Sequence, residues 1–176
     1  MQKRSAKFVA PLAIASAAVL AVSTGLASAG TPTGGQVRAY EADPSLAGSL
    51  GTVVFAGAIT DTGIDHQGAG PNGSNLMVLS KGSFAVDVSQ VGNELGNLPV
   101  DQTTCSSDGT VTGPITIVPG SGTGAYVGIS GTLDVDASAA FILPRSRNGT
   151  CNANAKKYPG ILMVNGSGNV GYSVNK

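Results

Sequence analysis

The chain has 176 residues, of which ten are basic and ten acidic, so its formal net charge is zero. This length suits a single domain. The lack of a basic excess excludes non-specific binding to nucleic acid, which needs a surface that displaces counterions from phosphates. With no Trp and only four Phe and four Tyr, the core must be built from Val, Ile, Leu and Ala.

The N-terminus has the pattern of an export signal. Lys3, Arg4 and Lys7 precede an apolar run over residues 8–26, and Ala27-Ser28-Ala29 is the small-x-small pattern that signal peptidase accepts. The alternative is a membrane anchor, but a proline and a polar end shorten the run below what a bilayer needs. We therefore expect a signal peptide over residues 1–29 and a secreted mature protein without a membrane span.

After the predicted signal peptide we expect two parts. Residues 30–50 mix turn-forming with single apolar residues and show no period, so we predict a loose N-terminal arm. Over residues 51–176, short β-branched runs alternate with Gly, Asn, Ser and Pro clusters, which is typical of an antiparallel all-β domain. The clearest predicted strands are Val53–Thr60, Leu76–Ser80, Ser83–Ser89, Pro114–Val118, Ala125–Ile129, Thr132–Asp136, Gly160–Val164 and Asn169–Val174.

These strands predict an antiparallel eight-stranded β-barrel, with a β-sandwich as the alternative. A barrel removes the exposed edges of a sheet and a sandwich hides its faces, and composition does not choose between them. Asn165-Gly166 predicts a tight hairpin turn between the last two strands. The best candidate for a helix is the short segment Ala137–Phe141.

The two cysteines, Cys105 and Cys151, both follow the predicted signal peptide. An exported chain meets oxidising conditions, and two Cys without a nearby His or a third Cys make a poor zinc site. We therefore predict a disulfide. Closing a loop of this length stabilises a protein by about 4 kcal/mol in the chain-entropy model.

A glycine-rich stretch in the middle of the domain, GSGTGAYVGISGT over residues 120–132, carries a motif of the form G-x-aromatic-x-G-x-x-G. The matching positions are Gly122, Gly124, Tyr126, Gly128 and Gly131. The stretch resembles the signature hairpin of the allene oxide cyclase and dirigent barrel group. Independently of any family, glycines this frequent in a strand indicate a sharp bend or a close backbone approach. We therefore predict a bending strand over residues 124–132.

The resemblance implies an eight-stranded antiparallel barrel with an internal, mostly apolar cavity, in many members assembled as a trimer. Such barrels act on or guide small hydrophobic molecules, and the members that catalyse use acidic and polar residues at the barrel mouth. For this chain the resemblance thus implies a small hydrophobic ligand and a homo-oligomer. We expect neither a cofactor nor a bound metal.

The densest set of titratable groups contains Asp61, Asp65 and His66, which is the only His. They are candidate catalytic residues because a His beside carboxylates can act as a general base near neutral pH. The two aspartates, together with Asn72 and Asn75, would also offer oxygen ligands to calcium, although their spacing is not that of an EF-hand. The simpler interpretation is a solvated loop whose Asp and Gly residues form turns.

Two further charged groups have a functional and a simpler interpretation. Asp134 and Asp136 share one face of a strand at about 6 to 7 Å, which suits an acid–base pair acting on a sugar or merely a solvated face. A basic cluster surrounds Cys151 and is either an anion patch or a solvated loop. Its members are Arg145, Arg147, Lys156 and Lys157.

The sequence has no nucleophile elbow, phosphate-binding loop, zinc-protease helix or paired C-x-x-C, and a Ser-His-Asp triad would have to use His66. Three functions remain. The first is an exported barrel that binds a small hydrophobic ligand or a cell-surface partner. The second is an isomerase or cyclase acting on a lipid-like or phenolic substrate, and the third is a structural surface protein. Polar groups converging on a cavity favour the enzyme, a dry cavity the binder and a filled core the structural role.

Overall fold

The computed structural model describes residues 34–44, 50–155 and 157–173, so the predicted signal peptide lies outside the described residues. Eight antiparallel strands pair in chain order, and the first pairs with the last to close a barrel. This confirms the predicted barrel over the sandwich. The strands are Gly35–Asp43 (β1), Leu50–Gly57 (β2), Asp61–His66 (β3), Asn75–Leu79 (β4), Gly82–Asp87 (β5), Ser106–Ile117 (β6), Ile129–Ile142 (β7) and Gly160–Tyr172 (β8).

The longest strand, β7, shows how the sequence builds the barrel wall. Leu133, Val135, Ala137 and Ala139 are buried, while the residues between them are exposed. This period of two is that of a strand with one face on the core. The best candidate for a helix, Ala137–Phe141, is instead part of this strand, since its alanines alternate between lumen and solvent.

The loose arm predicted for residues 30–50 is wrong over Gly35–Asp43, which form β1. The strand pairs with β2 on one side and β8 on the other, so it closes the barrel. Its inward positions begin with Val37 and Ala39, which are buried, and continue with Glu41 and Asp43. Acidic residues at the inward positions hide the apolar alternation by which a strand is recognised.

The hairpin turn predicted at Asn165-Gly166 is also wrong, because β8 runs through it without interruption. The glycines of β8 serve close packing: a Cβ atom on Gly166 would lie 2.7 Å from Val135 Cγ1, and one on Gly168 would lie 2.7 Å from Leu133 Cα. Both distances are shorter than real Cβ contacts, so these positions accept no side chain. The two predicted strands are one strand.

The bending strand predicted over residues 124–132 is replaced by a turn followed by a strand. Gly124–Tyr126 form a 3₁₀ turn, and β7 begins only at Ile129. Gly124 and Gly128 have φ angles of +56° and +77°, which disfavour any residue with a Cβ. These two glycines are thus required by the backbone conformation just before β7.

One short helix, Ser89–Gly96 (α1), connects β5 to β6 and packs against β6. The contact is close: a Cβ atom on Gly113 would lie 3.2 Å from Val91 Cγ2. A helix of eight residues is marginal in isolation, so its stability comes from this packing. Within the described ranges, no helix has the length and hydrophobicity to cross a bilayer.

The predicted disulfide is confirmed. Cys105 and Cys151 are bonded, with their Cα atoms 5.3 Å apart. The bond joins the segment before β6 to the loop between β7 and β8, and Cys105 itself is 1% exposed. Both neighbours of β7 are thereby tied at the same end of the strand.

Candidate functional site

The barrel lumen is filled by side chains at one end and contains a cavity toward the other. At the filled end, the ring centroids of Phe55 and Phe84 lie 5.6 Å apart, and those of Phe84 and Tyr126 lie 5.3 Å apart. Further along the lumen, a cavity of about 210 Å³ lies between the strands and α1. Its apolar wall includes Met77, Val91, Leu95, Val135, Ala137 and Leu162.

Helix α1 supplies one wall of this cavity. Val91 and Leu95 lie four residues apart on one face of the helix, which is the spacing that places both on the same side. Gly92, between them, also lines the cavity. The helix therefore covers one side of the unfilled part of the lumen.

Three polar side chains border the same cavity: Glu41 from β1, Gln67 just after β3 and Asn75 from β4. Asn75 Nδ2 donates a hydrogen bond of 2.7 Å to Asp65 Oδ2. Gln67 Nε2 donates one of 3.3 Å to Asp43 Oδ2. The polar side of the cavity thus leads into a group of buried carboxylates.

The carboxylates of Glu41 and Asp65 can meet because the strand between them, β2, has a glycine at the position that separates them. Gly51 on β2 pairs with Asp65 on β3. A Cβ atom built on Gly51 would collide with Glu41 Oε1 and lie 3.1 Å from Glu41 Cδ. The side chain of Glu41 therefore lies across Gly51, and any larger residue there would displace it.

Asp65 is fully buried but incompletely hydrogen-bonded. Its exposed fraction is 0%, as is that of nearby Asp43. Asp65 Oδ1 accepts no hydrogen bond from an amide or hydroxyl group of the described residues. A buried acceptor without a donor is costly, so this oxygen requires a proton from Glu41 or a donor from elsewhere.

Burial raises the pKa of Glu41 to about 8, and the charges of Asp65 and Asp43 and the hydrogen bond with Asp65 add to the effect. Burial also raises the pKa of Asp65, to about 6, although the hydrogen bonds from Asn75 and Glu41 oppose it. The two groups titrate as a pair. Because both pKa values are raised, the pair holds a proton that the two carboxyls share.

Asp61, a predicted catalytic candidate, lies at the other end of β3 and is held as a structural group. Its Oδ2 accepts hydrogen bonds from Tyr126 Oη at 2.5 Å and from the Lys81 backbone N–H at 3.0 Å. Its Oδ1 accepts from Ser80 Oγ and from the Thr62 backbone N–H. Burial alone would raise the pKa of Asp61, but these four donors outweigh it and lower the pKa to about 2.

His66 and Asp65 are adjacent on β3 and face opposite sides of the sheet. His66 is partly exposed and pairs in register with Leu50 and Leu76, outside the lumen. Its charge lowers the pKa of Asp65, which is its link to the carboxylates. Of the three predicted catalytic candidates, the structure therefore brings only Asp65 into contact with residues that line the cavity.

The four residues considered as an alternative calcium site do not converge. Asp61 and Asp65 are four positions apart along β3, which is about 13 Å. The amide of Asn75 donates a hydrogen bond to Asp65. Asn72 lies in a 3₁₀ turn with a φ of +56°. Among the described residues, no group of three or more His, Cys, Asp or Glu is arranged to hold a metal ion.

The other two charged groups lie on the outer surface. Asp134 and Asp136 are exposed on β7, and Asp136 accepts a hydrogen bond of 2.7 Å from Thr112 Oγ1. In the basic cluster, Arg145 donates to the backbone carbonyls of Gly149 and Thr103, so it stabilises the loop around the disulfide. Lys156, also in that cluster, lies outside the described residues.

The residues predicted for the site did not include Glu41, Asp43 or Gln67. The available signal was the alternation in β1, where the two acids occupy the same face as Val37 and Ala39. Acids that continue an apolar face are buried in the folded protein, which makes them candidates for perturbed pKa values. The role of Gly51 was not predictable from the sequence, because it depends on how side chains of the two neighbouring strands, β1 and β3, meet over it.

Comparisons with family models, with curated proteins and with solved structures found nothing that matches this chain. The resemblance to the allene oxide cyclase and dirigent barrel group thus remains a prediction based on the motif around Tyr126.

Proposed function

We propose that this protein is an exported β-barrel that binds a small, mostly apolar molecule in its lumen. The observation that carries the proposal is the cavity of about 210 Å³ between α1 and the strands. A cavity of about 150 Å³ lined by apolar side chains accommodates benzene. In proportion, this cavity suits a ligand of about eight non-hydrogen atoms.

The contrast between the two ends of the lumen supports binding over a purely structural role. Beside Phe55 and Phe84, the residual space is only about 20 Å³, so that end is packed as an ordinary core. The same strands could close the other end with larger side chains, but alanine occupies position 137. An unfilled, mostly apolar space with a few polar groups is typical of a ligand site.

Export is part of the proposal. Its supports are the predicted signal peptide and the Cys105–Cys151 disulfide, since disulfides persist in oxidising compartments.

The test fills the cavity without changing the surface. Ala137→Phe places a ring in the lumen, and Ala140→Phe places the same ring on the outer face of the same strand. Binding of cyclohexylmethanol, measured by calorimetry, should be lost in the first variant and retained in the second. Mass spectrometry of small molecules extracted from the native protein would identify the class. Equal binding by both variants would place the ligand outside the lumen and refute the proposal.

A second candidate function is an isomerase or cyclase, and one observation favours it. Glu41 borders the cavity and meets Asp65 across Gly51, and burial raises the pKa of both carboxyls, which supplies a proton donor and a proton acceptor at one place. Such a pair can move a proton between two positions of a substrate without a cofactor. Incubating the extracted compound with the protein, and with Glu41→Gln, distinguishes turnover from binding.

A further inference from the structure

The polar side of the cavity leads to a buried carboxylate, Asp65, that lies behind the residues lining it. Asp65 is 0% exposed, its Oδ2 is used by Asn75, and its Oδ1 accepts no hydrogen bond from the described amide or hydroxyl groups. Glu41 reaches the same place from the cavity across Gly51. A ligand bound beside Glu41 is therefore separated from Asp65 only by the Glu41 carboxyl, which hydrogen-bonds to Asp65.

We propose that the ligand of the lumen carries a protonated amine, which binds Glu41 at the cavity wall, replaces the proton that Glu41 shares with Asp65 and donates a hydrogen bond to Asp65 Oδ1. This inference rests on the proposed function, because it names the chemical class of the ligand in the same cavity. The apolar part of the molecule occupies the space between Met77, Val135 and α1.

The ammonium group fits this place better than other head groups. It has three donors and no acceptor, so it can serve both carboxylates at once. A ligand carboxylate would be repelled by Asp43 and Asp65. An alcohol has one donor and no charge, and a metal ion would need an arrangement of ligands that the described residues do not provide.

Binding is accompanied by the release of one proton. Before binding, Glu41 holds the proton that it shares with Asp65. When the ammonium enters, this proton passes to solvent, and two carboxylates then face one cation. The titratable groups that face Glu41 are Asp43 on β1 and Asp65 on β3, with His66 acting from the outer side of β3. From β2, β4 and α1, the facing residues are Gly51, Asn75 and apolar side chains, which do not titrate.

The experiment compares cyclohexylmethylamine with cyclohexylmethanol, which have the same shape and eight non-hydrogen atoms each. Calorimetry on the full mature chain at pH 8.5 should show at least tenfold tighter binding of the amine. The preference should fall several-fold at pH 6, because protons then compete with the ammonium, which itself stays charged throughout. Titrations in two buffers of different ionisation enthalpy at pH 7 should show close to one proton released per amine bound.

The variants identify the groups responsible. In Glu41→Gln and in Asp65→Asn, the ratio of amine to alcohol affinity should fall toward one. In Asp134→Asn, which removes the same charge from the outer surface, the ratio should be unchanged.

The outcomes separate the two proposals. Equal affinity of the two compounds, an amine preference that survives Glu41→Gln, or amine binding without proton release would overturn the inference and leave the lumen site standing. If neither compound binds, the lumen site and the inference fall together.

Discussion

Asp61→Asn tests whether the filled end of the barrel is a structural lock. Four donors converge on the two carboxylate oxygens of Asp61, including the Tyr126 hydroxyl. An asparagine offers one oxygen and one NH₂ group, so two of those donors would face a donor. Tyr126 can rotate its hydroxyl to accept, but the Lys81 backbone N–H has no such alternative.

The expected cost follows from the pKa. The pKa of Asp61 is lowered from 3.8 to about 2, and at 1.36 kcal/mol per unit this corresponds to about 2 kcal/mol of stabilisation at neutral pH. Because Asp61 is only 9% exposed, we apply little discount for screening by solvent. Leaving one N–H unsatisfied costs about the same, so we expect a loss of about 2 kcal/mol.

Urea denaturation of wild type and variant between pH 7 and pH 2 measures this loss. Since the pKa of Asp61 is lowered in the folded protein, its stabilisation is present above about pH 4 and disappears as the pH falls toward about 2. The difference between the two proteins should therefore shrink over that range. Asp134→Asn, on the exposed face of β7, should change stability by less than about 0.5 kcal/mol. A loss below that figure, or one independent of pH, would refute the assignment of Asp61 as a structural group.

Three further predictions address other parts of the barrel. Because the pKa of Glu41 is raised to about 8 in the folded protein, wild-type stability should decline as the pH rises from about 5 to about 8, and Glu41→Gln should flatten that decline in urea titrations. Replacing Cys105 and Cys151 by Ser should cost about 2 to 4 kcal/mol, and alkylation of the native wild type without reductant should label neither thiol. Gly128→Val should lower the thermal midpoint, by about 1 to 3 kcal/mol in free energy, because φ at this position is +77° and a Cβ atom would lie 2.5 Å from the carbonyl oxygen of Ser173; a stabilised variant would contradict this.

The fold class was predictable because it depends on features that occur throughout the chain. Short β-branched runs separated by turn residues indicate an antiparallel sheet, and the paired cysteines indicate a disulfide. Individual strands were less predictable. The segment Asp61–His66 contains two acids and a glycine, which disfavour strands, yet it forms β3 because β2 and β4 pair with it on both sides.

The glycines of the chain were the main source of error. Asn165-Gly166 has the sequence of a turn, but Gly166 lies within β8 because the side chain of Val135 occupies the space where its own would be. At Gly124, by contrast, the glycine does form a turn, where a strand was predicted. The sequence shows where glycines occur, whereas packing determines whether each one bends the chain or admits a neighbour.

The candidate site was only partly predictable for a related reason. Asp65 was identified because it lies near other titratable residues in the sequence, but the partner that matters, Glu41, is 24 residues away on a strand that was not predicted. Proximity in sequence also selected His66, which lies on the opposite side of the sheet. The contact between Glu41 and Asp65 depends on Gly51, which lies on β2, the strand between theirs. Only the folded barrel reveals this arrangement.

The two carboxylates of β3 differ in the number of hydrogen-bond donors around them. This difference indicates a structural role for Asp61 and a functional one for Asp65. Asp61 has four donors, which hold it ionised and bind the rim of the barrel together. Asp65 has one amide donor and a neighbouring acid, so its charge is stabilised only by a proton on Glu41 or by a ligand. Environments that shift two carboxyl groups in opposite directions are how one fold assigns them different roles. The undersupplied group lies behind Glu41 and Asn75, which border the unfilled part of the lumen, so the proposed ligand would take over the role of the shared proton.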